Sequence, residues 1–391
     1  MRTTTWITVP TYWGDNGTAE NPADTGSFDH PTPLEGPQTL ERTINSLCEL
    51  PQEFSILVIL AVTHRELRSN AKKIVRDLLL PYAQRQAIYL VTSDEVEHLQ
   101  REFDLPVLSL FSYGSIRNVQ LIIPYLADCE YVVAIDDDEI IEDRHYLKKI
   151  NDHMISVPLM KGLSGPYLNE AGGYLLDTTA DSVAQHNPFL KKGHLINLAV
   201  TKAMNEPLQP HRSHIAFGGN MIFTRDLIAK ICHDEFICRG EDFDYVLNAI
   251  SRDIDWYFCS DIPIVHLPPK KLGKTHKDQI DRLLADFSRF LYSCEKIEPL
   301  GSLDLEPYPG PFLKDTETLK EYCIDTLLNS TQDKMARTEA VRIIDEIHRK
   351  AIGMKTSYER YRRTWEEKLQ DTTLKVTTEA KMTQWLKTIR L

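Results

Sequence analysis

The sequence has no pair of closely spaced cysteines and no long apolar run. Its seven cysteines are scattered over 391 residues without a CxxC pair, which argues against a zinc knuckle and a disulfide framework and indicates reduced thiols. The most apolar run, residues 56–62, is too short to span a bilayer. The N-terminal residues also lack the apolar region of a signal peptide. We therefore expect a cytoplasmic protein without a transmembrane segment.

Positive charge is scarce as well. The chain carries 45 Lys and Arg against 57 Asp and Glu, a formal net charge of -12. Nucleic-acid binding needs a basic footprint, so no nucleic-acid partner is expected. A single nucleotide remains compatible with this charge, because a divalent cation can screen its phosphates.

Short apolar segments rich in β-branched residues alternate with amphipathic helical patterns. The predicted strands are residues 6–9, 56–62, 87–91 and 131–135, and the predicted helices are 39–50, 70–80 and 115–126. This alternation is typical of the α/β class, with a mostly parallel sheet flanked by helices.

The same patterns divide the chain into two regions. Residues 1–270 form the predicted α/β domain, and residues 271–391 form a mainly helical C-terminal appendage, which offers a surface for a homo-oligomer. Residues 13–37 are rich in Gly, Asn, Asp and Pro and leave the end of the first strand, where ligands bind in such sheets. We interpret them as an inserted loop, either a lid or acceptor-side wall or a plain surface insertion.

The strongest candidate for a functional site is the run Asp136-Asp137-Asp138. It follows a buried apolar strand directly, where three carboxylates are costly unless something neutralises them. Mg²⁺ and Mn²⁺ prefer carboxylate and phosphate oxygens, so a Mn²⁺ or Mg²⁺ site beside a diphosphate is one interpretation. A solvated acidic turn that caps the next helix is the other.

A second motif, Arg117-Asn118, lies in the helix that precedes this strand. The order of a glycine, a small residue, Arg-Asn, a helix, an apolar strand and Asp-x-Asp resembles the GT-A glycosyltransferases, especially family 2, over roughly residues 5–267. The resemblance implies a Rossmann-like GT-A fold and metal-dependent transfer of a sugar. The donor would be a UDP- or GDP-linked sugar, and the acceptor a glycan or a small hydroxyl compound. A hexosyltransferase is expected, with inversion favoured over retention.

The resemblance also implies roles by position. The residues implied at the nucleotide are Pro10, Thr11, Tyr12, Arg117, Asp136 and Asp137. Those implied at the metal are Asp136, Asp138 and His266. Those implied at the acceptor are Gly218, Gly219 and Asn220. Asp242, beside Glu241, would be the catalytic base, which must reach the acceptor hydroxyl opposite the leaving diphosphate.

Each of these roles has a plainer alternative. Glu241 and Asp242 suit the first turn of a helix, where acids favour the dipole, and a single histidine such as His266 is usually structural. Arg117 is equally suited to a surface salt bridge. The basic residues that follow residue 269, which are Lys270, Lys271, Lys274 and His276, either clamp a diphosphate or form a solvated loop.

Two further functions remain open at this point. A sugar-phosphate nucleotidyltransferase shares a related sheet, but residues 10–14 lack its Gly-rich loop with a basic residue. A catalytically silent nucleotide-sugar-binding module would be expected to lose acidic residues that this chain retains. The segment Val62-Thr63-His64-Arg65 lacks the acidic residue that the family often places after the second strand to hold the base. The sequence therefore does not decide between a UDP-linked and a GDP-linked donor. It also does not decide the acceptor or the stereochemistry.

Overall fold

The computed structural model describes residues 4–14, 28, 31–36, 38–178, 185–269, 276–297, 305–313, 315–331, 335–370 and 372–391. Of residues 276–278 and 372–379 it describes the backbone alone. The predicted basic clamp, with Lys270, Lys271 and Lys274, lies outside the described residues, as does the His276 side chain.

A mixed sheet forms the centre of the described structure. Its strands are β1 (Thr5–Trp13), β2 (Ser55–Val62), β3 (Ala87–Val91), β4 (Tyr131–Ala134), β6 (Gly162–Ser164), β8 (His211–Arg212), β9 (Met221–Thr224) and β10 (Trp256–Phe258). In the described residues their order is β3-β2-β1-β4-β9-β6-β10-β8. The pairs β1–β2, β2–β3, β1–β4 and β6–β10 are parallel, and the others are antiparallel. The sheet is thus mainly parallel, as the sequence predicts.

A second, smaller sheet stands beside the first. It joins β5 (Glu139–Ile140), β7 (Tyr167–Leu168) and β11 (Ile264–His266) in the order β5-β11-β7. The pairing sets His266 opposite Glu139. This small sheet therefore brings the residues after β4 next to the last strand of the chain.

Helices cover both faces of the main sheet. They are α1 (Leu40–Cys48), α2 (Arg68–Leu79), α3 (Ser93–Phe103), α4 (Tyr113–Leu126), α5 (Tyr146–Ser156), α6 (Lys192–Met204), α7 (Arg225–Ile228), α8 (Glu241–Ile250), α9 (His276–Ile297), α10 (Thr316–Ser330), α11 (Arg337–Gln370) and α12 (Thr372–Ile389). Short 3₁₀ turns lie at Arg65–Leu67, Pro188–Lys191 and Gly310–Phe312.

The side chains of β1 alternate between two cores. Trp6 packs in a cluster with α3 and α4, whereas Ile7 and Val9 pack with α1 and α2. Successive residues of a strand point to opposite faces, so a strand covered on both faces is mostly apolar along its whole length. The near-continuous apolar runs in the sequence therefore have a direct physical cause.

The C-terminal helices share the core of the sheet domain. Trp365 and Trp385 are buried in the same cluster as α4, and the Leu391 amide donates to the Ile88 carbonyl at 3.0 Å. The helical character predicted for this region is confirmed, and the boundary at 270/271 stays a prediction. Within the described residues, no helix combines the length and apolar character needed to cross a membrane.

A buried ionic network joins α9 to α8. Lys296 is 6% exposed, and its Nζ lies 2.8 Å from Asp234 and 2.5 Å from Asp244. Tyr292 donates to Asp234 at 2.7 Å. Since both carboxylates are almost fully buried, the network stabilises the position of α8 only while all its members are present.

Candidate active site

A cleft lies at the carboxyl ends of β1 and β4. It contains about 930 Å³ of empty space, the open mouth included. Its lining consists of Tyr12, Thr32, Thr39, Tyr113, Arg117, Asp136, Asp137, Asp138, Arg239, Glu241, His266 and Pro269. This is the edge at which open α/β sheets bind ligands, and it gathers most of the predicted site residues in one place.

Arg117 joins the two acidic motifs of the cleft. The first turn of α4, capped by the Ser112 hydroxyl, carries this side chain inward. The guanidinium is 6% exposed and forms ion pairs with Asp136 at 2.7 Å and with Glu241 at 3.3 Å. Nη1 also donates to Gln120 at 3.2 Å. Arg117 is therefore a buried cation that forms salt bridges with two carboxylates that are far apart in the sequence.

Asp137 is held by the first strand. The Thr11 hydroxyl donates to Asp137 Oδ2 at 2.6 Å and accepts from Trp13 Nε1 at 2.7 Å, while the Thr43 hydroxyl donates to the Asp137 carbonyl at 2.9 Å. Burial, and next the negative charge of Asp138, raises the pKa of Asp137 to about 8. Thr11 itself is fully buried, so it can affect a ligand only through Asp137.

Asp138, Glu139 and His266 converge on one point. One ligand atom from each lies within 4.8 Å of the others, and His266 Nε2 is 3.3 Å from Asp138 Oδ2. The Leu267 amide donates to the Asp138 carbonyl at 2.8 Å, and the β5–β11 pairing fixes the other two residues. Two carboxylates and an imidazole form a donor set that Mn²⁺ accepts well and Mg²⁺ tolerates.

Glu139 carries the clearest sign that a cation fits this point. Its side chain is buried, and Oε2 accepts from the Asp136 amide at 2.7 Å. The Tyr167 hydroxyl lies near this carboxylate and favours its charged form, but Oε1 is buried and makes no hydrogen bond of normal geometry with a described residue. Burial, followed by the charges of Asp136 and Asp138, raises the pKa of Glu139 well above its usual range. A bound cation would satisfy the orphaned oxygen and offset the buried charge.

The structure adds Glu139 to the residues that could hold a metal. Its carboxylate lies beside Asp138 and His266, whereas Asp136 pairs with Arg117, and a place for Asp136 at the metal stays a prediction. The signal was present in the sequence, because Glu139 extends the acidic run by one residue. What the sequence lacked was the pairing of β5 with β11, which decides which carboxylates face the histidine.

Gly218 and Gly219 make room for charged side chains. A Cβ on Gly219 would overlap the Glu139 carboxylate, and a Cβ on Gly218 would lie 3.0 Å from Arg117 Nη2. The Gly218 amide donates to Asp242 Oδ2 at 3.2 Å. The lack of a side chain at these two positions thus leaves space for the Glu139 carboxylate and the Arg117 guanidinium.

Asn220 and Pro10 lie inside the fold, and their places at the acceptor and at the nucleotide stay predictions. Asn220 is fully buried. Its Oδ1 accepts from the Tyr146 hydroxyl at 2.6 Å, and its Nδ2 donates to the Ile262 carbonyl at 2.9 Å. Pro10 is buried inside β1 opposite Ile59, because the strand continues to Trp13 beyond the turn that was expected. Both residues support the site from within the fold.

Glu241 and Asp242 open α8. Gly240 precedes them in the left-handed region with a φ of 73°. Asp242 Oδ1 accepts from the Phe243 amide at 2.7 Å. Burial, and next the charge of Glu241, raises the pKa of Asp242 to about 6. These residues occupy the first turn of a helix, and Asp242 also has the pKa of a carboxylate that can accept a proton near neutral pH.

Two tyrosine rings, those of Tyr12 and Tyr113, line the cleft, and the buried Phe28 packs against both and completes this aromatic wall. Tyr12 lies 4.8 Å from Phe28 and 5.3 Å from Tyr113, measured between ring centroids. The Tyr12 hydroxyl is buried without a hydrogen-bond partner in the described part of the chain. Phe28 belongs to the 13–37 insertion, and Thr32 of the same insertion pairs with Trp13 and lines the cleft. The described parts of the insertion therefore lie against the cleft.

Comparison with known proteins finds similar folds among solved structures. No family model and no curated protein matches the sequence. Among solved structures, the fold is similar to a mannosyltransferase from Pyrobaculum calidifontis in complex with GDP-Man and Mn²⁺, at a TM-score of 0.43 and 14% identity, covering 97% of this chain and 88% of that one. It is also similar to glucosyl-3-phosphoglycerate synthase from Mycobacterium tuberculosis in complex with phosphoglyceric acid. That match has a TM-score of 0.36 and 12% identity, over 73% of this chain and 80% of the other.

Proposed function

We propose that this protein is a metal-dependent glycosyltransferase that moves a sugar from a nucleoside diphosphate sugar to a hydroxyl acceptor. The observation that carries the proposal is the convergence of Asp138 and His266, which line the cleft, with the buried Glu139, whose carboxylate offers a ligand atom within 4.8 Å of theirs. The same cleft is lined by Arg117 and an aromatic wall. A site with these parts can hold a cation, a diphosphate and a nucleoside side by side.

The donor would lie along the wall formed by Tyr12, Phe28 and Tyr113. Aromatic faces bind a planar base well, and a buried tyrosine hydroxyl without a partner is available to hydrogen-bond to it. Asp136 and Asp137 would accept hydrogen bonds from the ribose hydroxyls. These contacts are compatible with both uracil and guanine, so the proposal covers UDP- and GDP-linked donors.

Asp138, Glu139 and His266 would hold Mn²⁺ or Mg²⁺. The bound ion would supply Lewis-acid stabilisation of the charge on the departing diphosphate. Arg117 keeps Asp136 and Glu241 in place by pairing with both. The pairing of β5 with β11 fixes Glu139 and His266 in the same way. The charged groups of the site are therefore in place before any ligand arrives, which is the condition for efficient electrostatic catalysis.

Asp242 would deprotonate the acceptor hydroxyl if the reaction inverts the anomeric centre. With a pKa of about 6, its carboxylate form predominates at neutral pH while still accepting a proton readily. The Gly218 amide, which donates to Oδ2 at 3.2 Å, orients the carboxylate. In a retaining hexosyltransferase the same residue would position the substrates.

A screen of donor hydrolysis tests the proposal. The protein is incubated with common UDP- and GDP-linked sugars and Mn²⁺ or Mg²⁺, and release of the nucleoside diphosphate is measured. We expect slow cleavage of at least one donor, which stops when EDTA removes the metal. The variant Glu142→Gln, which removes an exposed acid three residues beyond Glu139, should behave as wild type.

Two other results would point elsewhere. Formation of a nucleotide sugar from a nucleoside triphosphate and a sugar phosphate would identify a nucleotidyltransferase. Metal-dependent binding of a nucleoside diphosphate without hydrolysis or transfer would identify a silent binding module. Absence of both binding and cleavage would refute the proposal.

A further inference from the structure

Arg239 is a cation of the cleft that the proposed donor site does not use. It lines the cleft together with Glu241, His266 and Pro269, and its side chain is half-buried. Arg117, by contrast, is neutralised by two carboxylates within 3.3 Å. No ion pair or hydrogen bond joins Arg239 to another of the described residues, so its guanidinium is available to a ligand.

Two more cations lie near Arg239 and share one carboxylate. Lys192 Nζ pairs with Asp286 Oδ2, and Arg289 Nε lies 3.7 Å from Asp286 Oδ1. The Arg289 guanidinium sits directly beneath Gly240, because a Cβ on that glycine would overlap it. Burial, together with the positive charges of Arg289 and Arg239, lowers the pKa of Lys192 despite the attraction of Asp286. Lys192 and Arg289 thus share Asp286, and Asp242 also lies near enough to Arg289 to attract its charge. Arg239 is left as a cation of this corner without a carboxylate partner among the described residues.

We infer that the acceptor carries an anionic group, a carboxylate or a phosphate monoester, which binds to Arg239. The inference rests on the proposed function and names the class of its acceptor. Like charges held close together in a partly buried site disfavour each other unless an anion joins them. A carboxylate and a phosphate both match the planar donor fork of an arginine.

The position of Arg239 favours the acceptor over the donor as the source of the anion. The charge of the donor's diphosphate would be offset by the divalent cation that Asp138, Glu139 and His266 would hold. Arg239 instead stands three residues before Asp242, the residue proposed to receive the acceptor's proton. An anion on Arg239 would hold a nearby hydroxyl within reach of that carboxylate, so the acceptor would be a hydroxy acid or a phosphorylated polyol.

Matched pairs of acceptors test the inference. With the donor found in the hydrolysis screen, transfer is compared for glycerate, glycerol 3-phosphate and glycerol, and for glucuronate, glucose 6-phosphate and glucose. We expect kcat/KM for an anionic acceptor to exceed that for its neutral counterpart by about ten- to a hundred-fold, the range of a charge-assisted hydrogen bond. Comparing the carboxylate with the phosphate in each set shows which anion the site prefers.

Substitutions at Arg239 assign the preference to this residue. Arg239→Gln should raise the acceptor KM and abolish most of the preference, whereas Arg239→Lys, which keeps the charge, should retain a large part of it. Arg212→Gln, which removes an exposed arginine paired with Asp255, is the matched control and should leave the preference unchanged.

The possible outcomes separate this inference from the proposed function. Equal use of neutral and anionic acceptors would overturn the inference and leave glycosyl transfer intact. An Arg239→Gln variant with a raised donor KM and an intact preference would also overturn it and assign Arg239 to the diphosphate. Absence of any donor turnover would overturn both.

Discussion

Replacing Glu139 by glutamine separates its role in metal binding from its role in folding. The substitution keeps the shape of the side chain and its acceptor for the Asp136 amide, which now lies 2.7 Å from Oε2. It removes the buried charge. We therefore expect the variant to fold and to lose much of its affinity for Mn²⁺.

The size of the effect follows from the contacts. The variant loses one of the two carboxylate ligands beside His266. This loss should weaken Mn²⁺ binding by about 100-fold or more, since even residues that only support metal ligands contribute up to about that factor. At a Mn²⁺ concentration of about 100 times the wild-type Kd, the ion stabilises the wild-type fold by about 2.7 kcal/mol. The same concentration would stabilise the variant by about 0.4 kcal/mol.

Without metal we expect the opposite difference in stability between the variant and wild type. The pKa of Glu139 is raised in the folded protein, so between the unfolded value of about 4.3 and the raised folded value the folded state binds more protons than the unfolded chain. The stability contributed by this group is complete below that pH and is lost as the pH rises toward the folded pKa. Glu139→Gln lacks this loss, and its metal-free form should be at least as stable as wild type at pH 8.

Urea denaturation with and without Mn²⁺ measures both effects, with Glu142→Gln as the control. A variant that keeps the full Mn²⁺ stabilisation would refute the placement of Glu139 at the cation. A variant that is much less stable than wild type without metal would refute the account of its buried charge.

Three further substitutions probe other parts of the structure. Asp242→Asn should leave donor binding intact and abolish transfer. In wild type, transfer should rise with pH through about 6, the pKa of Asp242, because the carboxylate is the active form; a flat pH profile in steady-state assays would argue against this role. Gly219→Ala should lower the free energy of unfolding by about 1–3 kcal/mol, since its Cβ would overlap Glu139, and an unchanged urea midpoint would contradict that contact. Lys296→Met should cost about 3–5 kcal/mol by leaving two buried carboxylates without a cation, and a calorimetric Tm near that of wild type would count against the network.

The sheet could be predicted because strands covered on both faces leave a strong apolar signal. The predicted strand 87–91 matches β3, and the strand 56–62 falls within β2. The first strand was predicted over residues 6–9, but β1 continues through Pro10 and the polar Thr11 to Trp13. Both are buried because β1 pairs with β2 along its whole length, a contact that local sequence cannot report.

The site was predictable in its composition and less so in its pairings. The acidic run, Arg117 and His266 were all identified and lie in one cleft. Glu139 was not predicted beside His266, because its place there depends on the pairing of β5 with β11. Arg239 was missed as well, since a lone arginine before a glycine carries no distinguishing pattern until the fold places it in the cleft.

Calorimetric titration of GDP and of UDP into the protein, with and without Mn²⁺, tests the central claim most directly. Comparing wild type with Asp138→Ala assigns the result to the proposed cation site. In that site His266 Nε2 lies 3.3 Å from Asp138 Oδ2. The account predicts that at least one nucleotide binds only when Mn²⁺ is present and that this binding is lost in the variant. Binding of equal strength without Mn²⁺, or unchanged Mn²⁺-dependent binding by Asp138→Ala, would contradict it.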